Sequence, residues 1–162
     1  MRILCGIDGH EPSVRTAGVA VELAKNLHAE LTLYMVNPVI PGRGARLYLW
    51  SNEYVGNTLN EMVRRAIWSG APDVKIASRR APNIADAIVA YADEHACDYI
   101  VLGASRRPAV LRILSGSVSR EVLAKANCPV MIVGRTRDQQ TRPTHRGRPR
   151  PIEFHDTVPA VA

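Results

Sequence analysis

Gly103 and Gly116 stand thirteen residues apart, and Ser117 and Ser119 follow the second of them. They lie within DYIVLGASRRPAVLRILSGSVSREVLAKANCPVMIV, residues 98–133, which reads as a buried strand, a loop with glycine at both ends, a helix opening on serines, and a second buried strand. Glycine directly after a strand lets a ribose or phosphate approach the backbone, because no Cβ stands in the way. A helix start offers unpaired amides and the positive end of a dipole worth about half a charge, so GSVS suits an anion, with two hydroxyls as extra donors. A capped helix after a surface loop accounts for the same pattern without a ligand. The loop middle, Arg106, Arg107 and Pro108, departs from the glycine expected where a chain wraps a triphosphate.

Asp8, in GIDGHEPS, ends a strand pattern at the same edge. Its carboxylate can accept hydrogen bonds from a ribose or an adenine amino group, or form the turn ahead of a helix, and these roles are compatible. Other nucleotide signatures are missing. The sequence has no GxxxxGK[ST], GRGARL at 42–47 lacks the last glycine of GxGxxG, and no HxGH or SGGxDS-like segment occurs. Catalysis finds no support: no base stands beside a nucleophile, His10 has no assigned partner, and His28 and His95 lie near helix ends, where dipole or solvent explains them. Cys5, Cys97 and Cys128 form no CxxC pair and no metal cluster with the five histidines. Apolar neighbours make each a small buried hydrophobe in a reducing compartment, the alternative being a redox-sensitive thiol.

The elements that must position these groups follow from periodicity. Residues 2–7, 31–36, 99–102 and 129–133 are near-continuous apolar runs, and 73–78 alternate as a half-buried or edge strand does. Between them, Val14, Ala17, Val21, Ala24 and Leu27 predict a helix over 13–28 capped by Ser13. Val55, Leu59, Met62, Val63 and Ala66 predict one over 52–69, with Trp68 packing at its end. Ile84, Ala87, Ile88, Tyr91 and Ala92 predict one over 83–95, and residues 117–126 a short fourth. Trp50, in a long loop after the second strand, is placed to cover a ligand or a dimer partner, and a lid hinged at Gly42 and Gly44 is conceivable. Strict alternation of strand and helix implies an α/β fold: a three-layer α/β/α sandwich around a five-stranded parallel sheet with right-handed crossovers. Ligands then bind at the carboxyl ends of the strands.

Composition is that of a soluble globular protein, with 46% hydrophobic and 22% charged residues in a chain of 162. With no apolar run long enough to span a bilayer and no signal-peptide pattern, a cytoplasmic location and no membrane partner are expected. Residues 1–134 read as one domain. Residues 135–162 hold six arginines against Asp138, Glu153 and Asp156, half of the net charge of +6. That Arg- and Pro-rich tail lacks apolar periodicity and is expected to be disordered. Nucleic-acid binding through it is disfavoured, because Phe154 is its only aromatic residue for base stacking.

Taken in order, four stretches resemble the universal stress protein family, single-domain type. They are Asp8, Gly9, Glu11, Ser13 and Ala17; ELAKNLHAELTLYMVNP at 22–38; D.IVLGAS at 98–105; and GSVSREVLAKANCPVMIV at 116–133. The resemblance covers residues 1 to about 134. It implies an adenine nucleotide alpha hydrolase-like, Rossmann-like sheet that dimerises through the last strand, Pro129 to Val133, and in one branch binds ATP, with Mg2+ accompanying the nucleotide. That branch carries G-x2-G-x9-G-[ST], whose first glycine falls on Gly103 and whose third falls on Gly116 before Ser117, while Arg106 takes the second place. By this resemblance Asp8 and Val36 meet the adenosine, Leu102 and Gly103 lie by the ribose, and Gly116, Ser117, Val118 and Ser119 hold phosphates. Arg106 forbids a glycine-only backbone angle and fills the phosphate space, or grips phosphate oxygens itself, or is a solvated surface arginine beside Arg107. The expectation is a stress-responsive sensor or regulator that binds ATP or a related adenine nucleotide, acts as a homodimer on a regulatory protein partner, and is not an enzyme beyond slow incidental hydrolysis. The alternative is the family's other branch, a dimer without nucleotide that acts through protein partners.

Overall fold

The computed structural model describes residues 1–41, 46–71, 73–104 and 118–134. Its strands are β1 (Arg2–Ile7), β2 (Glu30–Pro41), β3 (Arg46–Tyr48), β4 (Val74–Ala81), β5 (Tyr99–Gly103) and β6 (Val130–Val133). Its helices are α1 (Glu11–Leu27), α2 (Asn52–Trp68), α3 (Ile84–Glu94) and α4 (Val118–Lys125).

Side chains on successive strand residues point to opposite faces, and the two faces are covered by different helices. Ile3, Cys5, Ile7, Leu31, Leu33, Met35 and Val101 pack with Ala17, Ala20, Val21 and Ala24 of α1 and with Val55, Leu59, Met62 and Ala66 of α2. Leu4, Tyr34, Val36, Ile100 and Leu102 pack on the other face with Ala85, Ala87, Ile88 and Ala92 of α3 and with Val122 of α4. Both faces of the central strands are therefore apolar, which is why their sequences run apolar without alternation.

Five strands run parallel in the order β4-β2-β1-β5-β6. The chain moves outward from β1 through β2 to β4, then returns to build β5 and β6 on the other side. The order therefore switches between β1 and β5. Local chemistry marks the helix ends. Ser51 accepts the Tyr54 N–H at the start of α2, and Asn83 accepts the Asp86 N–H at the start of α3. His28 ends α1 in the left-handed region, with φ 48° and ψ 45°.

The three-layer sandwich and its parallel sheet agree with the sequence expectation, and three details differ. A sixth strand, β3, pairs antiparallel with the end of β2 through Val39↔Tyr48 and Ile40↔Leu47. The β2–β4 ladder continues as far as Pro38↔Ala81, beyond the apolar run. Backbone bonds carry that extension, and Arg79 and Arg80 are tolerated because β4 is an edge strand. Trp68, expected to pack, is 90% exposed: it follows Ala66 by two positions and falls off the buried stripe. Among the cysteines, Cys5 is fully buried, Cys97 and Cys128 are half-buried, and all three are free thiols. Gly42, Gly44 and the tail at 135–162 lie outside the described residues.

Candidate functional site

At the switch point the carboxyl ends of β1 and β5 diverge around a cavity of about 540 Å³. That is the size range of small-molecule sites. Gly6, Ile7 and Asp8 line it from β1, Tyr34 and Val36 from β2, and Leu102, Gly103 and Ala104 from β5. His10, Ser13 and Thr16 contribute from the turn into α1, Ile84 and Ile88 from α3, and Val118 and Ser119 from α4. Leu49 and Trp50, just ahead of α2, complete the wall.

Of the residues singled out by sequence, Asp8, Val36, Leu102, Gly103, Val118 and Ser119 meet around this one cavity. Arg106, Gly116 and Ser117 lie outside the described residues. Three helices, α1, α3 and α4, begin at the cavity, so the positive ends of their dipoles converge there.

The turn between β1 and α1 is built around Asp8. Its Oδ1 accepts the His10 N–H at 3.1 Å and the Ser13 hydroxyl, and its own N–H donates to Ser13 Oγ at 3.0 Å. Ser13 is therefore not the cap of α1. His10 holds the cap position and makes no side-chain cap bond, while the hydroxyl turns back to the carboxylate. Gly9 between them has φ +74°, and a Cβ there would also lie 2.8 Å from the Tyr54 hydroxyl. Oδ2 of Asp8 accepts no hydrogen bond among the described residues, and the side chain is exposed, so the carboxylate is oriented yet still open to a ligand.

Gly103 is needed for a reason that concerns packing as well as ligand approach. A Cβ there would lie 2.8 Å from Thr16 Oγ1, so glycine at 103 leaves room for the Thr16 hydroxyl of α1 against β5.

The wall beside β2 is held by a buried amide. Asn37, 3% exposed, donates Nδ2–H to the Trp50 carbonyl at 2.8 Å and accepts the Trp50 N–H on Oδ1 at 3.1 Å. The indole stacks on Tyr54 with centroids 6.0 Å apart. Arg80 ties this segment to the sheet edge, donating to Asn52 Oδ1 and lying 4.4 Å over the Tyr48 ring.

Tyr34 forms part of the floor. Its hydroxyl donates to the Ala87 carbonyl at 3.3 Å, and its ring stacks on Tyr91, which stacks in turn on His95. Burial pushes its phenol up to about 12, against an opposing effect of Arg79, so it is neutral at physiological pH and acts as a wall. The lining thus offers hydrogen-bonding groups and apolar surface. Among the described residues no group of three or more His, Cys, Asp or Glu could hold a metal, and no helix is long and apolar enough to cross a membrane.

Sequence reasoning did not single out Thr16, Tyr34, Leu49, Ile84 or Ile88 for the site. The available signal was positional. Ile84 and Ile88 share a face of α3 beside its start, Thr16 lies one turn beyond Ser13, and Tyr34 lies two residues before Val36 on the same face of β2.

The fold has solved relatives. A universal stress protein in complex with cAMP superposes with a TM-score of 0.69 at 24% identity, covering 84% of this chain and 98% of its own. A universal stress protein from Archaeoglobus fulgidus in complex with dAMP gives 0.60 at 26% identity, covering 82% and 96%. In sequence, universal stress protein MJ0531 of Methanocaldococcus jannaschii is 30% identical over 142 residues, which is 82% of this chain and 81% of that protein. The family model described as "Universal stress protein family" matches residues 1–134. With that match spanning the whole sheet and every described element, the chain belongs to the universal stress protein family.

Proposed function

We propose that this protein binds an adenine nucleotide, ATP foremost, in the cavity between β1 and β5, and acts as a stress-responsive sensor or regulator. One observation carries the reading: a single cavity gathers Asp8, Val36, Leu102, Gly103, Val118 and Ser119 in its wall. An oriented carboxylate suits ribose hydroxyls or an amino group, apolar Val36 and Leu102 suit a base and sugar, and converging helix starts suit phosphates. The dAMP complex of the Archaeoglobus fulgidus relative supports the same ligand class. Mg2+ would arrive with the nucleotide phosphates. We read the activity as binding rather than catalysis, because Asp8 is engaged with Ser13 and the Tyr34 phenol is held neutral. The cytoplasm is the compartment this reading assumes.

The working form in this proposal is a homodimer through β6. That strand pairs with β5 on one side, and Met131 and Ile132 are 38% and 39% exposed at the sheet edge. Nucleotide occupancy then biases the dimer or a surface read by a protein partner. A single light-scattering mass equal to one 17.8 kDa chain at all micromolar concentrations removes the dimer.

The deciding experiment is calorimetric titration of nucleotide-stripped protein with ATP and magnesium, beside the Gly116→Val, Ser117→Ala variant. The expected result is saturable binding that the variant loses. A folded wild type that takes up no ATP at millimolar concentration overturns the reading. Arg106 in place of the motif's second glycine has then closed the phosphate space, leaving a dimer that acts through protein contacts.

A further inference from the structure

We infer that Trp50 is the base-contacting aromatic residue of this cavity and sets its preference for a nucleotide over a sugar phosphate. The inference rests on the nucleotide reading above and assigns a subsite within it.

Trp50 lines the cavity, as do Asp8 and Val36. Its place is fixed from two directions. Asn37, the residue after Val36, clamps the Trp50 N–H and carbonyl together, as a neighbouring strand would. Tyr54 stacks on the indole, while the Tyr54 hydroxyl lies 2.8 Å from where a Cβ on Gly9, the residue after Asp8, would stand. The segment carrying Trp50 is thus tied to the residues that follow β1 and to the end of β2.

Burying an amide such as Asn37 is costly unless both its groups are bonded, and here both are spent on the backbone of one residue. That arrangement fixes the Trp50 backbone before any ligand arrives, and the Tyr54 stack restricts the indole, so less ordering entropy is lost on binding. An aromatic face beside an open cavity offers a planar heterocycle a stacking partner that a ribose or phosphate cannot use. Trp50 therefore adds affinity for the base, and the groups around Gly103 and Ser119 serve the remainder of the ligand.

Trp50 and Trp68 are the only tryptophans, and Trp68, exposed at the end of α2, does not line the cavity. In a Trp68→Phe protein all tryptophan emission comes from Trp50. Titration with AMP is expected to quench and shift that emission, whereas ribose 5-phosphate at saturation leaves it nearly unchanged. By calorimetry, Trp50→Leu is expected to weaken AMP roughly tenfold or more, Trp50→Phe much less, and neither to change ribose 5-phosphate affinity. AMP that binds by calorimetry without altering Trp50 emission, and with equal affinity for Trp50→Leu, overturns the assignment and leaves nucleotide binding intact. Failure of the Trp68→Phe protein to bind AMP or ATP at all overturns both. Because the emission arm needs no change at position 50, a Trp50→Leu protein that fails to fold does not shelter the inference.

Discussion

The Ser13 hydroxyl meets Asp8 twice, receiving the Asp8 amide N–H and giving its own proton to the Asp8 carboxylate. One small side chain thereby fixes both the backbone exit from β1 and the direction of the only carboxylate among the described residues of the cavity lining. Ser13→Ala removes both bonds from a residue that is 5% exposed. The expected cost is about 1–2 kcal/mol in urea unfolding, with weaker nucleotide binding by calorimetry because the carboxylate is no longer oriented. Unchanged stability would show that the pair is incidental.

Gly103→Ala places a methyl group 2.8 Å from Thr16 Oγ1, so the Thr16 hydroxyl must turn away or α1 must shift. A loss of roughly 1–3 kcal/mol is expected. In a Thr16→Ala background the same substitution meets open space in place of the hydroxyl and costs less. A double-mutant cycle by chemical denaturation reads the difference. Additive costs would mean that position 103 needs glycine for its backbone and not for α1.

Asn37→Asp keeps an acceptor for the Trp50 N–H and loses the donor to the Trp50 carbonyl, and it buries a charge besides. Hydrogen exchange at Trp50 is expected to quicken, and the emission of Trp50 in a Trp68→Phe background to move to longer wavelength. The β1–β5 ladder should keep its protection, because Asn37 lies beyond the last residue pair of β1 with β2, Ile7↔Met35. Protection lost uniformly across the sheet would count against a local clamp.

Alkaline pH should destabilise the fold in a defined window. Burial pushes the Cys5 thiol from its usual 9.0 up to about 12, and the Tyr34 phenol from 10.0 up to about 12. Between those values the folded state keeps protons that the unfolded chain releases, so the contribution of these two groups to stability is fully present below about pH 9 and is lost as pH rises toward 12. Urea midpoints at about pH 8 and about pH 10.5 are expected to differ, with the alkaline value lower. Cys5→Ala, though less stable overall, should show a shallower decline. A midpoint that is flat between the two pH values refutes the assignment.

Most of the fold was legible because the central strands are buried on both faces, and such strands show as apolar runs whatever the register. The stripe from Val55 to Ala66 was readable for a related reason: one face of α2 is buried along its length. The failures have different causes. β3 is three residues long and lies on the end of β2, so it has no periodicity of its own to read. Trp68 stands at the end of the α2 stripe and is expected to pack there, but helix geometry places it two residues past Ala66, turned away from the sheet. Ser13 satisfies the sequence rule for a cap, yet its hydroxyl goes to Asp8, because the chain doubles back at Gly9 and brings the carboxylate within reach. At the site, Asp8 and Gly103 could be found as residue types at strand ends. Thr16, Tyr34 and Ile88 could not, since each sits in an ordinary buried position that becomes a cavity wall only through the strand order.

That order also governs when the cavity comes into being. β1 precedes the other described strands in the chain, ends at the middle of the sheet and gains its second neighbour, β5, only after α3 has been made. Val118 and Ser119 follow later still. A chain emerging from the ribosome therefore presents Asp8 before the rest of the lining and has no closed pocket until α4 has left the exit tunnel. A truncated product ending before α4 lacks that wall of the cavity altogether. A molecule that fills the cavity would thus bind only chains in which both walls have come together, and would stabilise them against unfolding by mass action.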